Sequence, residues 1–165
     1  MKNIFQPDLY INSLDDLDLK RLKEEGYRNI LIDLDNTLAP YYDKHIDERA
    51  KEILDKMSEE GLFVVVMSNN HEERVRDFLK GTDHHYQSMS LKPTKVGYKK
   101  VLERYGLKAS ETLAIGDQIL TDIVGANRMK IFSILVEPLV EKDSFSTRIN
   151  RQFEKILYKI GAVKK

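Results

Sequence analysis

Short apolar runs and longer amphipathic stretches alternate along this chain. Ile30-Leu31-Ile32, Leu62 to Met67, Thr112 to Ile115 and Ile131 to Val136 are brief and bounded by polar residues or glycine, the pattern of strands buried in a parallel sheet. A weaker run at Tyr86 to Ser90 predicts one more strand. Between these runs the period is helical. Asp47 to Glu60 is closed by Gly61, Glu72 to Lys80 by Gly81, and Thr94 to Tyr105 by Gly106. Further helices are predicted at Leu14 to Glu25 and at about Thr147 to Ile160. Alternating strands and helices imply right-handed crossovers and a doubly wound, Rossmann-like α/β fold, a parallel sheet flanked by helices. In such sheets ligands bind beyond the carboxyl ends of the strands, so chemistry is sought there. No repeat, low-complexity segment or linker divides the 165 residues, and residues 1–165 are expected to form one domain.

Composition removes several classes of function. Lys plus Arg and Asp plus Glu both number 27, so no global field draws the chain to nucleic acid, and no nucleic-acid partner is expected. The absence of cysteine excludes disulfides, thiolate nucleophiles and Cys-based zinc sites, and fits a reducing cytosol. From Met1 to Leu14 the apolar residues are interrupted by Lys2, Pro7 and Asp8, and no run approaches the roughly 20 residues of a membrane span. Neither signal peptide nor transmembrane helix is read, and a cytoplasmic location is expected.

Four predicted strand ends carry polar groups of different kinds. The first runs into Asp33-Leu34-Asp35-Asn36-Thr37-Leu38, and two-residue alternation sends both carboxylates to one side if the extended geometry persists. Close carboxylates repel unless a cation lies between them or one keeps its proton, and either condition serves catalysis. The structural alternative is a solvated turn. The second strand ends at Ser68-Asn69-Asn70, just before a predicted helix, where a hydroxyl and backbone N–H groups suit a phosphate oxygen. An ordinary N-cap asks for the same residues. Lys92 precedes Pro93, a residue able to open a helix at its first position, and a lysine there can neutralise phosphoryl charge; Lys95 is its nearest competitor. Gly116-Asp117-Gln118-Ile119-Leu120-Thr121-Asp122 brings two more acids, suited to a hard cation or to a loop and helix cap.

Each signal is weak alone, but in chain order they supply a nucleophile, a hydroxyl, a cation and metal-binding acids. One carboxylate could attack phosphorus in line while Lys92, Ser68 and a metal ion stabilise the equatorial oxygens. Asp35 would protonate the leaving alcohol and later deprotonate the water that attacks the aspartyl phosphate. Rival patterns fail. An EF-hand loop opening at Asp33 wants Gly and Glu where Leu38 and Lys44 stand, and neither a P-loop nor a Gly-x-Gly-x-x-Gly segment occurs. A receiver-type signalling domain shares the aspartyl phosphate, hydroxyl, lysine and magnesium, but places its phosphoacceptor after a later strand.

At these residues the chain resembles the haloacid dehalogenase (HAD) superfamily of phosphohydrolases. Asp33, Asp35 and Thr37 match its Asp-x-Asp-x-Thr pattern, and Ser68, Lys92 and the Asp117 to Asp122 segment match the other motifs. The resemblance implies an HAD-like phosphatase that uses Mg2+. The Asp33 side chain, the Asp35 backbone carbonyl and Asp117 would hold the metal, with Asp122 supporting the site. Asp33, Asp35 and Lys92 would be catalytic, and Thr37, Ser68, Asn69 and Lys92 would bind the substrate phosphate. The phrases Asp33 to Leu38, Ser68-Asn69-Asn70, Gly116-Asp117-Gln118, Gly125-Ala126-Asn127-Arg128 and Asn150-Arg151 narrow the resemblance to the YqeG-type subclass IIIA phosphatases, over about residues 4 to 160. That group is similar to phosphatidylglycerophosphate phosphatases, which suggests a lipid phosphate as the phosphomonoester substrate. The alternatives are a soluble metabolite, a phosphoprotein, or a binding and assembly role without turnover.

Neither the gap from Thr37 to Ser68 nor that from Asn70 to Lys92 has room for a large cap domain, so an open site is expected. An open site fits a macromolecular substrate, a headgroup at a bilayer, or closure by a partner subunit, which makes an oligomer one of the expectations. Tyr41, Tyr42, Lys44 and His45 are rim candidates or plain loop surface. From Arg148 to Lys165 the chain sets Arg148, Arg151, Lys155, Lys159, Lys164 and Lys165 against Glu154 alone, with Ile149, Phe153, Ile156, Leu157 and Ile160 at helical spacing. Docking of this stripe on the core is the favoured expectation, and peripheral contact with the inner face of an anionic membrane is the other. Asn127, Arg128, Asn150 and Arg151 are polar residues for either structural or substrate contacts.

Overall fold

The computed structural model describes residues 3–140 and 145–164, with backbone alone for 145–148. Six parallel strands form one sheet: β1 Leu9–Ile11, β2 Asn29–Ile32, β3 Phe63–Met67, β4 His85–Gln87, β5 Thr112–Gly116 and β6 Phe132–Val136, in the order β1-β6-β5-β2-β3-β4. β2 is buried along its whole length, as a strand covered by helices on both faces must be. Its alternate residues divide the interior. Ile30 and Ile32 join a core under α1 Leu19–Glu24, α2 Glu48–Glu59 and α3 Glu72–Phe78, through Leu22, Leu54 and Phe78. Leu31 points the other way, into a core with Tyr98 and Val101 of α4 Lys95–Tyr105 and Ala126 of α5 Val124–Arg128. The fold is thus doubly wound.

From β2 the chain builds outward through β3 and β4, then crosses back to β5 and β6. The reversal opens a crevice between the carboxyl ends of β2 and β5, where Ile32 pairs with Ile115 and the Asp33 N–H donates to the Ile115 carbonyl at 2.9 Å. Asp33 and Asp117 therefore follow adjacent strands at the switch point. Between Thr37 and Ser68 the described elements are a loop, α2 and β3, and between Asn70 and Lys92 they are α3 and β4, so no large cap covers the crevice.

Some predicted elements are redrawn. Leu14 to Glu25 is two pieces, a 3-10 turn at Leu14–Asp16 and then α1, because the Asp18 carboxylate accepts from the Arg21 N–H at 3.0 Å and starts a fresh helix. β1 is a three-residue edge strand, too short for its alternation to register. β4 lies at His85–Gln87, earlier than Tyr86 to Ser90, because the chain leaves the sheet through left-handed Met89 and Leu91. Pro93 does not open α4: the Lys92–Pro93 bond is cis, Thr94 is the N-cap, and the helix begins at Lys95. Residues Ile119–Ile123, read as a loop bearing acids, are one π-helical turn running into α5.

The C-terminal helix α6, Phe145–Lys159, docks on the core, but of the predicted apolar stripe it uses Leu157 alone. Ile149, Phe153, Ile156 and Ile160 are exposed, and α6 is anchored instead by Arg151 and Glu154, with Leu157 and Tyr158 against a small cluster of Ile119, Ile123, Leu135 and Val163. The predicted basic residues Arg148, as a side chain, and Lys165 lie outside the described residues.

Candidate active site

Asp33 stands one residue past β2, where the strand ends. Asp35 does not reach the cleft by continued alternation. The chain turns at once, with Leu38 N–H and Ala39 N–H both donating to the Leu34 carbonyl and left-handed Asn36, φ 62°, closing onto Ala39. The turn nevertheless brings both carboxylates to one cavity of about 500 Å³, lined also by Asn36, Tyr41, Ser68, Asn69, Asn70, Arg74, Lys92, Pro93, Gln118, Thr121 and Asn150. Of the rim candidates after the first motif, Tyr41 lines it; Tyr42, Lys44 and His45 do not.

Lys92 is the hub. Its Nζ donates to Asp33 Oδ1 at 2.6 Å, to Asp122 Oδ1 at 2.7 Å and to the Met67 carbonyl at 3.0 Å. The Asn69 side chain clips the Lys92 backbone, accepting from its N–H at 2.8 Å and donating to its carbonyl at 3.0 Å. Asn69, expected from sequence to bind the substrate phosphate, here fixes the lysine loop. Ser68 is not the cap of α3, whose N-cap is His71; its Oγ accepts from the Asn70 N–H at 3.1 Å and faces the cavity. Lys95, the competitor, is exposed on α4.

On the other flank, Asp117 is nearly sealed from solvent. Thr37 Oγ1 donates to its Oδ1 at 3.1 Å, so the hydroxyl read as a phosphate donor is taken up by a carboxylate. Arg151 grips both the Asp117 carbonyl, at 2.6 Å, and the Asp117 carboxylate, and it also donates to Glu154 Oε2 at 3.0 Å. Glu154 in turn accepts from the Ile119 N–H at 2.6 Å, tying α6 to the loop that follows β5. Gly116 is required beside this group. A Cβ there would lie 2.2 Å from Asp122 Cγ and displace the carboxylate that Lys92 holds.

Asp35 has its own partners. The Arg74 guanidinium donates to its Oδ1 at 3.1 Å and to the Tyr41 carbonyl at 3.3 Å, while Asn70 donates to Oδ2. The sequence offers Arg151 only as a polar residue for structural or substrate contacts, and gives no sign of Arg74. Asn127 and Arg128 serve the framework: Asn127 donates to the Ile4 and Gln6 carbonyls, and Arg128 reaches the Pro93 carbonyl at 3.5 Å.

The electrostatics are those of a site built for more positive charge than the protein supplies. Oxygen atoms of Asp33, Asp117 and Asp122 lie within 4.8 Å of one another. Burial pushes the Asp33 carboxyl well above the usual carboxylate range despite the pull of Lys92, and pushes Asp117 up to about 7 despite Arg151. For Lys92, burial works against the ammonium, but Asp122 and Asp33 outweigh it and raise its pKa. Asp35 is also raised by burial, with Arg74 pulling the other way. A hard divalent cation fits this set: the donors are carboxylate oxygens, and its charge would favour the ionised forms of Asp33 and Asp117 against the burial that raises their pKa.

Known proteins bear the same pattern. The haloacid dehalogenase-like hydrolase family matches residues 30–91, and the HAD-hydrolase-like family matches residues 91–144. The chain is 34% identical to the probable phosphatase YqeG of Bacillus subtilis over 155 residues, covering 94% of this chain and 90% of that one. It is 26% identical to the chloroplastic/mitochondrial phosphatidylglycerophosphate phosphatase 1 of Arabidopsis thaliana, covering 93% of this chain and 47% of that protein, about half its length. Among solved structures, an uncharacterized protein of Listeria monocytogenes serotype 4b superposes with a TM-score of 0.56 at 18% identity, over 72% of this chain and 84% of that one. The core domain of a Streptococcus pneumoniae TIGR4 protein with a provisional phosphoglycolate phosphatase assignment gives 0.51 at 23% identity, over 78% and 96%. The two structural likenesses speak to the fold, and the extended identity speaks to descent: this chain belongs to the YqeG-type phosphatases of the haloacid dehalogenase-like hydrolases.

Proposed function

We propose that the chain is a magnesium-dependent phosphomonoester hydrolase in which Asp33 is the nucleophile and Asp35 the general acid and base. The observation that carries this reading is the convergence of Asp33, Lys92 and Asp122 within hydrogen-bonding distance at the β2–β5 switch point, with Asp35 held apart on Arg74 in the same cavity. The separation matches two different jobs. Asp33 faces the Lys92 ammonium, a cation suited to a group that receives a phosphoryl; Asp35 is the more exposed of the two, on the side where a leaving alcohol would depart.

Asp33 and Asp117 would hold the magnesium with the Asp35 backbone carbonyl, and Asp122 would hold Lys92. When bound, the ion supplies positive charge for the phosphoryl oxygens. The Asp33 carboxylate attacks phosphorus, the bond to the leaving oxygen breaks, and Asp35 delivers its proton to that oxygen. Asp35, now ionised, takes a proton from water, which attacks the Asp33 phosphate and releases inorganic phosphate. Raising of the Asp35 pKa by burial supports the first role, and the Arg74 charge, which lowers it, supports the second. Ser68 and Lys92 receive the phosphoryl oxygens from the β3 and β4 sides of the cleft.

The absence of a large cap and the likeness to a phosphatidylglycerophosphate phosphatase support a lipid phosphate as substrate. Purified protein is expected to hydrolyse p-nitrophenyl phosphate with magnesium and to stop on chelation. Asp33→Asn is expected to lose at least about a thousandfold in rate while keeping its melting temperature within a few degrees. Near-normal turnover by that variant would refute the nucleophile. Phosphatidylglycerophosphate turned over no better than sugar phosphates would refute the lipid assignment alone.

A further inference from the structure

Several exposed apolar residues each stand next to a residue that lines the catalytic cavity. Tyr42 follows Tyr41, Leu91 precedes Lys92, and Ile149 precedes Asn150. Met89 N–H donates to the Asn70 carbonyl at 2.8 Å, and Leu139 N–H to the Asn36 carbonyl at 2.9 Å. Their exposure runs from 37% for Leu139 to 57% for Tyr42. Met89 and Leu91 adopt left-handed backbone, φ 48° and 53°, a conformation unfavourable for such residues and one a fold keeps only where its surroundings hold it.

Exposed apolar residues continue along α6. At about 100° per residue, Ile149, Phe153, Ile156 and Ile160 fall within about 60° of arc, a strip turned away from the anchors Arg151, Glu154 and Tyr158. Phe153 is 54% exposed and Ile160 68%. To one side of the strip stands Lys159, with Lys155 farther round toward Arg151, both exposed, and the one acid from Ile149 to Lys164, Glu154, is buried against Arg151 and the Ile119 N–H. A stripe of this kind with lysines to one side has the charge and polarity of a helix lying at an anionic bilayer, apolar face in the acyl boundary and ammonium groups at headgroup level.

We infer that α6 and the exposed apolar residues next to the cavity lining form a membrane-docking face that seats the open catalytic cavity on an anionic lipid surface. The substrate's phosphate then enters the site without the lipid leaving the bilayer, and the bilayer takes the place of a cap in excluding water. This inference rests on the lipid-phosphate reading for its purpose but not for its test, since binding is measured without turnover.

The full chain should co-sediment with vesicles of phosphatidylcholine and phosphatidylglycerol, poorly with phosphatidylcholine alone, and less as salt rises. Phe153→Glu with Ile156→Glu, both on the exposed strip, should weaken vesicle binding by about tenfold or more, leaving the melting temperature and p-nitrophenyl phosphate hydrolysis unchanged. Lys155→Glu with Lys159→Glu should weaken only the anionic preference. Absence of binding by the unaltered chain, or equal binding by the Phe153/Ile156 variant, would overturn the inference. So would concentration-dependent self-association abolished by that variant with no vesicle binding, which would make a second copy the occupant. Vesicle binding without turnover of a lipid phosphate would uphold the docking face and sink the lipid substrate.

Discussion

Lys92 and Arg151 each hold the carboxylates of this site, but they arrive from different parts of the molecule. Lys92 lies on the loop between β4 and α4, 8% exposed, clamped at its backbone by Asn69 and bonded to Asp33, Asp122 and the Met67 carbonyl. Arg151 comes from the terminal helix, reaching Asp117 and Glu154 from a helix that rests on the core through a few side chains. One cation belongs to the sheet; the other belongs to an element laid over it. The difference separates a group built into the strand ends from one that depends on how a single helix docks.

The comparison can be broken at three places. Lys92→Met would leave Asp33 and Asp122 buried without their shared ammonium, and is expected to cost about 3–5 kcal/mol in denaturant unfolding and about a hundred- to a thousandfold in phosphatase rate. Loss of rate with stability untouched would mean Lys92 is not the structural hub its contacts describe. Arg151→Gln is expected to do less, raising the magnesium concentration for half-activation by about ten- to a hundredfold because Asp117 loses the group that orients it. Tighter magnesium in that variant would reverse the account, making Arg151 a competitor of the cation. Arg74→Met should have the smallest effect, below about a hundredfold. The Arg74 charge lowers the Asp35 pKa against the burial that raises it, so its removal raises that pKa further. Less Asp35 is then ionised at neutral pH, the step needing a base slows, and the pH–rate profile moves to higher pH.

The sheet side of this site was legible in the sequence and the helix side was not. Asp33, Ser68, Asp117 and Asp122 follow strands whose apolar runs are unambiguous, Lys92 follows the weaker run of β4, and the doubly wound topology gathers such ends at one crevice. Thr37 and Asn69 belong to the same segments, yet pattern alone does not tell a hydroxyl aimed at substrate from one holding Asp117, or an amide aimed at phosphate from one clipping Lys92. Arg74 sits on an amphipathic helix, where an arginine reads as a solvated face until the neighbouring strand ends are positioned, and Arg151 is legible only as a polar contact whose partner the pattern does not name. α2 and α6 make the same point for apolar residues. Both carry a stripe at helical spacing, but α2 buries Ala50, Leu54 and Met57 whereas α6 exposes Ile149, Phe153, Ile156 and Ile160. Periodicity fixes which residues share a face, and the polar anchors Arg151 and Glu154 decide which face docks.

The central claim is that the phosphoryl group passes through Asp33. Asp35→Asn lacks the base for the second step, but p-nitrophenolate leaves without a proton, so the first step still runs with magnesium present. Acid quenching of that variant after mixing with p-nitrophenyl phosphate, followed by peptide mass spectrometry, should find one phosphoryl group per chain, carried on Asp33, with a matching burst of nitrophenolate. Steady hydrolysis with no phosphorylated protein, or a phosphoryl group on any other residue, would contradict the account.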